Sequence, residues 1–365
     1  MSKVLILAGF ALIALLPALG QEKQRRQNFD VQRVADGVYA LIRREPASVW
    51  FNPNNVFIIG DKDVIVVDAN ISSEYTREVL AALREITEKP VKYVINTHWH
   101  EDHIIGNRVY RDAFLNVQFV GHRSTLKDLP EIGGANRKGT LKNGRGFVGL
   151  LESRLEIGEN LAGQKITDEE RIGYSSDIKL VSSYLAESNR FEIVLPTVLV
   201  DDRLEIDQGK RRIEILYFGR AHTAADLVVY LPKEKIAITG DLIVHPVPLV
   251  GSTSFPLEYG DTLRKLKGLN ASVLIPGHGP IMRDWKSLDE MIALLDSIRS
   301  QAEAAVKRGE TLEQMKKSVD LEKFRKVFAG NSQHKSLIFK NYVTVPAVAA
   351  AHLQLAERRS AAAKN

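Results

Sequence analysis

Six residues, His98-Trp99-His100-Glu101-Asp102-His103, place the tightest limit on what this chain can become. They follow Val91-Lys92-Tyr93-Val94-Ile95, an apolar and β-branched run that reads as a buried strand, broken by Asn96 and Thr97. Three imidazoles and a carboxylate, the donors that borderline divalent metals select, then arrive within six positions. His98 and His100 are two apart at a strand end, so period-two alternation lets them face the same way. Asp102 and His103 fall on the turn that follows and can point elsewhere. The spacing is that of a loop holding two metals side by side. The competing reading is a polar loop whose histidines merely cap a strand.

Composition narrows the setting. A chain of 365 residues with 44% hydrophobic and 26% charged residues can bury a large core. The net charge of +5 is mild for this length, and no nucleic-acid partner is expected from it. There is no cysteine, which excludes disulfides, thiolate ligands, a cysteine nucleophile and a lipoprotein anchor. At the N-terminus, Lys3 precedes an apolar run from Val4 to Leu19, then Ala18-Leu19-Gly20 as a small-x-small site and a polar stretch from Gln21 to Arg26. This is the pattern of a secretory signal peptide over residues 1–20. The run is shorter than the ~20 residues of a spanning helix, so no stable membrane insertion is expected after cleavage. An uncleaved anchor is the alternative. Either way a periplasmic or secreted protein is expected.

Along the mature chain, Val31–Arg43 alternates around the turn Asp36-Gly37, and Asn55–Ile59 and Val64–Val67 flank the turn at Gly60–Asp63. An amphipathic helix is expected over Glu74–Glu88, capped by Ser72 or Ser73 and stopped by Pro90. Phe114–Val120 reads as a strand. The β pattern then disappears over about 123–190. There Gly133, Gly134, Gly139, Gly144 and Gly146 alternate with Arg137, Lys138, Lys142 and Arg145, which reads as a flexible basic loop before helices near Val148–Ile157 and Asp168–Asn189. Strands resume at Thr197–Val200, Arg203–Ile206, Arg212–Phe218 and Leu227–Leu231. Two more, Ile236–Thr239 and Val273–Ile275, are expected to stop at Gly240-Asp241 and at Pro276-Gly277-His278, with a helix over Tyr259–Leu269 between them. Everything beyond Arg283 has helical periodicity.

His222, Asp241 and His278 share the context of the opening six residues, because each sits where an apolar strand ends at glycine or small residues. With His-x-His-x-Asp-His, the motifs Ala-His-Thr, Thr-Gly-Asp and Pro-Gly-His-Gly make an ordered series that resembles the metallo-β-lactamase fold superfamily from about Val31 to Arg283. The resemblance implies an α/β fold, a four-layer αββα sandwich of two mixed sheets with outer helices, as a domain over 31–283. Within it lies the helical insertion near 123–190, and a C-terminal helical extension over 284–365 follows. It also implies that His98, His100 and His222 bind one metal, that Asp102, His103 and His278 bind a second, and that Asp241 bridges them. Two divalent ions, zinc first with iron or manganese possible, would lower the pKa of a shared water towards neutrality and supply a nucleophile without serine or cysteine. Asp102 would orient that nucleophile as general base.

Asp241 departs from the cysteine or serine typical of the superfamily's β-lactamases and is shared with its glyoxalase II-like, lactonase-like and phosphodiesterase-like branches. His100 is unlike the flavodiiron branch, and the Asp241–His278 interval is too short for the inserted domain of the RNA-processing branch. The expected function is an exported hydrolase of a small-molecule ester, lactone, thioester or amide. Alternatives are a phosphoester hydrolase that uses the basic stretch, a mononuclear iron persulfide dioxygenase, and a non-catalytic binding module. Asp68 is expected to be a structural hydrogen-bonding group, and Trp99 a wall residue or plain packing. His122 and His245 are expected either behind the ligands or as structural residues, with His245 nearer the cleft. Phe255 and Tyr259 are candidate pocket residues, with core packing as the equal alternative, and His334 and His352 are packed or solvent-facing. The sequence is silent on oligomeric state.

Overall fold

The structure, a computed structural model, describes residues 28–46, 48–190 and 192–362, so the expected signal peptide lies outside the described residues. The strands β1 (Phe29–Ala35), β2 (Val38–Arg43), β3 (Asn55–Ile59), β4 (Val64–Val67), β5 (Val91–Ile95), β6 (Gln118–His122) and β7 (Val198–Val200) lie side by side in chain order. The first four pair antiparallel and the rest parallel. A second sheet has the order β12-β11-β10-β9-β8, from β8 (Arg203–Asp207), β9 (Arg212–Tyr217), β10 (Leu227–Leu231), β11 (Ile236–Val244) and β12 (Val273–His278). Only its β11–β12 pair is parallel. Both sheets are therefore mixed.

Alternation along the strands makes the layers. Ile65 and Val67 of β4 face the second sheet and meet Ile215, Val229 and Ile238, whereas Val64 and Val66 face outward against Val79 and Leu83 of α1 (Ser73–Ile86). Ser72 caps α1 by accepting from Tyr75 N. On the far side of the second sheet, Val228, Ala237 and Leu274 pack with Leu263 of α7 (Pro256–Lys267) and with Met291 and Ile298 of α8 (Lys286–Lys307). The result is the expected four-layer αββα sandwich.

Between β5 and β6 come the short helices α2 (Glu101–Ile104) and α3 (Asn107–Ala113), the second of which has no warning in the sequence pattern. Between β6 and β7 the glycine-rich stretch differs from expectation. After the short helix α4 (Thr125–Asp128) and a π turn at Leu129–Gly133, it forms α5 (Gly134–Ile157), followed by α6 (Asp168–Glu187) with a Thr167/Glu170 capping box. Gly144 explains how a run that reads as a loop is a helix: a Cβ there would lie 3.3 Å from Leu185 of α6, so its absence lets the two helices approach. Lys138, Lys142 and Arg145 point to solvent from α5.

After α8, the helices α9 (Leu312–Ser318), α10 (Glu322–Ala329), α11 (Gln333–Phe339) and α12 (Val345–Ala362) complete the chain, with a π turn at Lys340–Thr344. Phe339, Val343, Ala347 and Val348 share the apolar cluster of α7 and α8, so this segment is built into the outer layer. No helix among the described residues is long and apolar enough to cross a membrane.

Candidate metal centre

One edge of the sandwich collects strand ends from both sheets. Asp68 follows β4, the loop 96–100 follows β5, His222 lies between β9 and β10, and Asp241 and His278 lie within β11 and β12. Neither of the last two strands stops where the sequence predicts. Gly240, at φ +51, shifts the register and β11 continues to Val244, while β12 runs on through Pro276 to His278. Glycine is needed at two points: a Cβ on Gly240 would fall 2.5 Å from Thr97, and one on Gly277 would fall 1.9 Å from Asp241 Oδ1.

All seven residues singled out in the sequence come together. His98, His100 and His222 form one group of donors, Asp102, His103 and His278 a second, and Asp241 joins His98 and His103 in a third; within each group the ligand atoms lie within 4.8 Å of one another. His100 Nδ1 is 3.0 Å from His222 Nε2. Asp241 turns Oδ2 to His222 Nε2 (3.6 Å) and His98 Nε2 (4.0 Å), and Oδ1 to His278 Nε2 (3.3 Å) and His103 Nε2 (3.4 Å). Asp102 Oδ2 is 3.3 Å from the same nitrogens of His103 and His278.

Each ring is fixed by its other nitrogen. His98 Nδ1 meets Thr97 Oγ1 (3.2 Å), His100 Nε2 meets Thr253 Oγ1 (3.1 Å), and His103 Nδ1 meets Asp68 Oδ2 (2.9 Å). His222 Nδ1 and His278 Nδ1 meet the carbonyl oxygens of Leu249 (3.1 Å) and Asn52 (2.9 Å). Anchoring one ring nitrogen to orient the other is how ligating histidines are held. The inner atoms His98 Nε2, His103 Nε2, His278 Nε2 and Asp241 Oδ1 are buried without hydrogen-bond partners, an arrangement costly to a fold unless something binds there. The donor set, five imidazoles and two carboxylates, fits a pair of divalent cations.

Electrostatics agree with that fit at the first group, whereas at the second the carboxylates Asp102 and Asp241 hold His103 and His278 protonated, so cations there would displace two protons. Burial lowers the pKa of His98 and His222, and burial with His222 beside it lowers His100 to about 3, so these three are neutral, as ligation requires. Burial opposes charge on Asp241 too, but His278 and His103 outweigh it and hold the carboxyl well below its ordinary range. Burial likewise opposes charge on Asp102, which His103 and His278 keep ionised. His278 is depressed by burial yet raised overall to about 9 by Asp241 and Asp102.

Asp68 is structural, as expected, but closer to the chemistry than a turn residue. At φ +60 it accepts from Thr97 N (2.8 Å) and Thr97 Oγ1 (2.9 Å) and orients His103. Several of the other residues singled out in the sequence take the packed alternative. Tyr259 is fully buried with its hydroxyl on the Asp241 carbonyl (2.8 Å), and Phe255 carries the Arg220 guanidinium on its ring (4.3 Å); neither lines the pocket. His122 stacks on Tyr217, away from the centre. His245 borders a separate cavity of about 270 Å³ behind His278, and buried His334 packs against Tyr174.

A cavity of about 410 Å³ opens onto the centre, with His100, Asp102, His222 and Asp241 at its floor. Val49, Trp50, Phe51, Ile71, Trp99 and Leu249 form apolar walls; Asn136, Ser252, Thr253 and Asn341 supply neutral polar groups. Trp99 therefore both packs and walls the site. Tyr342 closes one side, its hydroxyl donating to the Val49 carbonyl. The helical periodicity after Arg283 gives no sign that a residue so far along the chain reaches the pocket.

Residues 49–278 match the family model of the metallo-β-lactamase superfamily. The chain belongs to the metallo-β-lactamase superfamily. It is 25% identical over 239 residues to a linear primary-alkylsulfatase from Pseudomonas sp. (strain ATCC 19151), covering 63% of this chain and 42% of that protein. The chain thus spans less than half the length of that relative. It is also 22% identical over 269 residues to the β-lactamase-like protein 2 homolog of Caenorhabditis elegans, covering 72% of this chain and 68% of that one. Among solved structures, the DIM-1 metallo-β-lactamase aligns with a TM-score of 0.50 and 18% identity over 74% of this chain and 98% of its own, a likeness of fold.

Proposed function

We propose that this chain is an exported binuclear metal-dependent hydrolase of a small, uncharged carbonyl compound, an ester, lactone, thioester or amide with an apolar acyl part. The observation that carries the reading is the convergence of seven buried donors whose five rings are each anchored from behind. His98, His100 and His222 would hold one ion, Asp102, His103 and His278 the other, and Asp241 both. Zinc suits the imidazole-rich set; the two carboxylates also admit iron or manganese. When bound, such ions supply Lewis acidity and a water of near-neutral pKa.

The protein's own residues do the rest. Asp102 borders the cavity with an ionised carboxylate, so it can orient a water against the substrate carbonyl and accept its proton. Trp50, Phe51, Trp99 and Leu249 bind the acyl part and exclude bulk water, which strengthens every charge interaction at the floor. Among the described residues lining the cavity there is no lysine or arginine, which favours an uncharged substrate over a phosphoester. The basic residues of α5 that would have suited an anion point to solvent. The printed name of the Pseudomonas relative motivates a second reading, an alkyl sulfate whose chain occupies the apolar walls. Export rests on the sequence pattern of residues 1–20.

A panel of metal-loaded protein against acyl esters, a lactone, a thioester, a chromogenic β-lactam, an alkyl sulfate and a phosphodiester tests the proposal. Turnover of a carbonyl substrate supports it. Turnover of the sulfate alone favours the second reading, and activity on none with metal bound overturns both.

A further inference from the structure

Glu101 sits between two of the seven residues yet is not one of the convergent donors. It opens α2, with His100 before it and Asp102 after it. Its carboxylate is held by the insertion: Arg137 Nε of α5 donates to Oε1 at 2.5 Å, and the Tyr184 hydroxyl of α6 donates to Oε2 at 2.6 Å. The Glu101 and Arg137 side chains are only 15% and 16% exposed, so the contact is shielded and its geometry matters more than that of a surface pair. Both helices of the insertion thus meet one carboxylate on the turn that carries the candidate ligands.

The same join forms a wall of the cavity. Gly133 and Asn136, just before Arg137, line it. A Cβ on Gly133 would lie 3.5 Å from the Trp99 ring and 2.9 Å from a Leu129 methyl, so the start of the insertion is seated directly on the indole. Gly134, Gly139, Gly146 and Gly149 leave α5 poor in intrinsic helix preference, and with nothing near them they add no packing. Tertiary ties must hold this end of the helix in register.

We propose that Glu101, Arg137 and Tyr184 form a positioning clasp that fastens the insertion to the ligand-bearing turn and so fixes the wall of Trp99, Gly133 and Asn136 against which a large acyl group packs. The inference rests on the hydrolase reading and assigns the specificity of that same site. None of the three residues acts on the reacting atoms. Loosening the clasp leaves a small acyl group able to reach the centre and weakens the hold on a large one.

The test compares acetyl and octanoyl aryl esters on the full-length, metal-loaded protein and its Arg137→Met, Arg137→Lys and Tyr184→Phe variants. Arg137→Met is expected to keep its metal content and to change kcat on the acetyl ester by no more than about two-fold, while KM for the octanoyl ester rises about ten-fold. Arg137→Lys recovers part of that loss, because it retains the charge but not the planar fork. KM values that move together for both esters, or metal lost in step with both rates, would overturn the clasp. If Arg137→Met does not fold, Tyr184→Phe, which removes one hydroxyl, must show the same split at smaller size. If the wild type cleaves neither ester, the wider substrate panel decides the functional reading and the clasp is read instead by limited proteolysis. Faster cutting of the insertion in Arg137→Met at equal metal content supports it; equal rates overturn it.

Discussion

At the scale of single residues, Asp68 shows how a fold serves a site without touching substrate. Its carboxylate ties the Thr97 backbone and the His103 ring to one point, so the position of His103 Nε2 is set two bonds away from the donor itself. Asp68→Ala should weaken metal affinity about ten- to hundred-fold while His98, His100 and His222 keep their anchors, measurable by chelator competition. His100→Ala should lose metal and turnover together. A second buried carboxyl gives a pH signature. Burial raises Asp177 to about 7 despite donors from Ser48, Trp50 and Val49. Unfolded, it titrates near ~3.9, so between these values the folded state holds a proton that the unfolded state has released. Stability from this group is therefore present at low pH and lost as pH rises towards 7. Asp177→Asn should flatten that fall, seen as a smaller difference between urea midpoints at pH 5 and pH 8 than in the wild type. The first four donors were legible from their spacing, and His222, Asp241 and His278 joined them through the motif series that resembles the superfamily. Asn52, Thr253 and Tyr342 were not legible, because their roles depend on carbonyl, hydroxyl and ring placements that no local spacing encodes.

At the scale of elements, the strands were the most readable, since alternation follows directly from facing two different layers. The insertion was the least readable. Glycine signals a turn in sequence, but in α5 it serves both as a contact surface and as bare solvent face. The two uses predict opposite responses. Gly139→Ala, where nothing lies within 4 Å, should raise stability by about 0.5–1 kcal/mol through helix preference. Gly144→Leu, forced against Leu185 and Val181, should cost about 1–3 kcal/mol by overpacking. Thermal melts of the two variants distinguish a packed helix from a mobile loop, in which neither change would register. The continuation of β11 past Gly240 was hidden for a related reason. The sequence marks a break at Thr-Gly-Asp, and the register shift there lets the strand proceed while Asp241 swings to the centre.

At the scale of the whole molecule, three distant segments build one cavity. Residues 49–51 supply a wall, the insertion supplies Gly133 and Asn136, and the last helices supply Asn341, Tyr342 and Pro346. Because Phe339, Val343 and Val348 also lie in the core beside α7 and α8, truncation from residue 340 onward should lower the melting temperature of the entire protein rather than merely widen the cavity. The most direct measurement of the central claim is a titration of metal-stripped protein with zinc, following bound metal per chain and ester hydrolysis in the same sample. Two ions bound per chain, with hydrolysis appearing as they bind and absent from His100→Ala, is the predicted result. A single tightly bound iron with oxygen consumption and no hydrolysis, or hydrolysis that survives in His100→Ala, would contradict it.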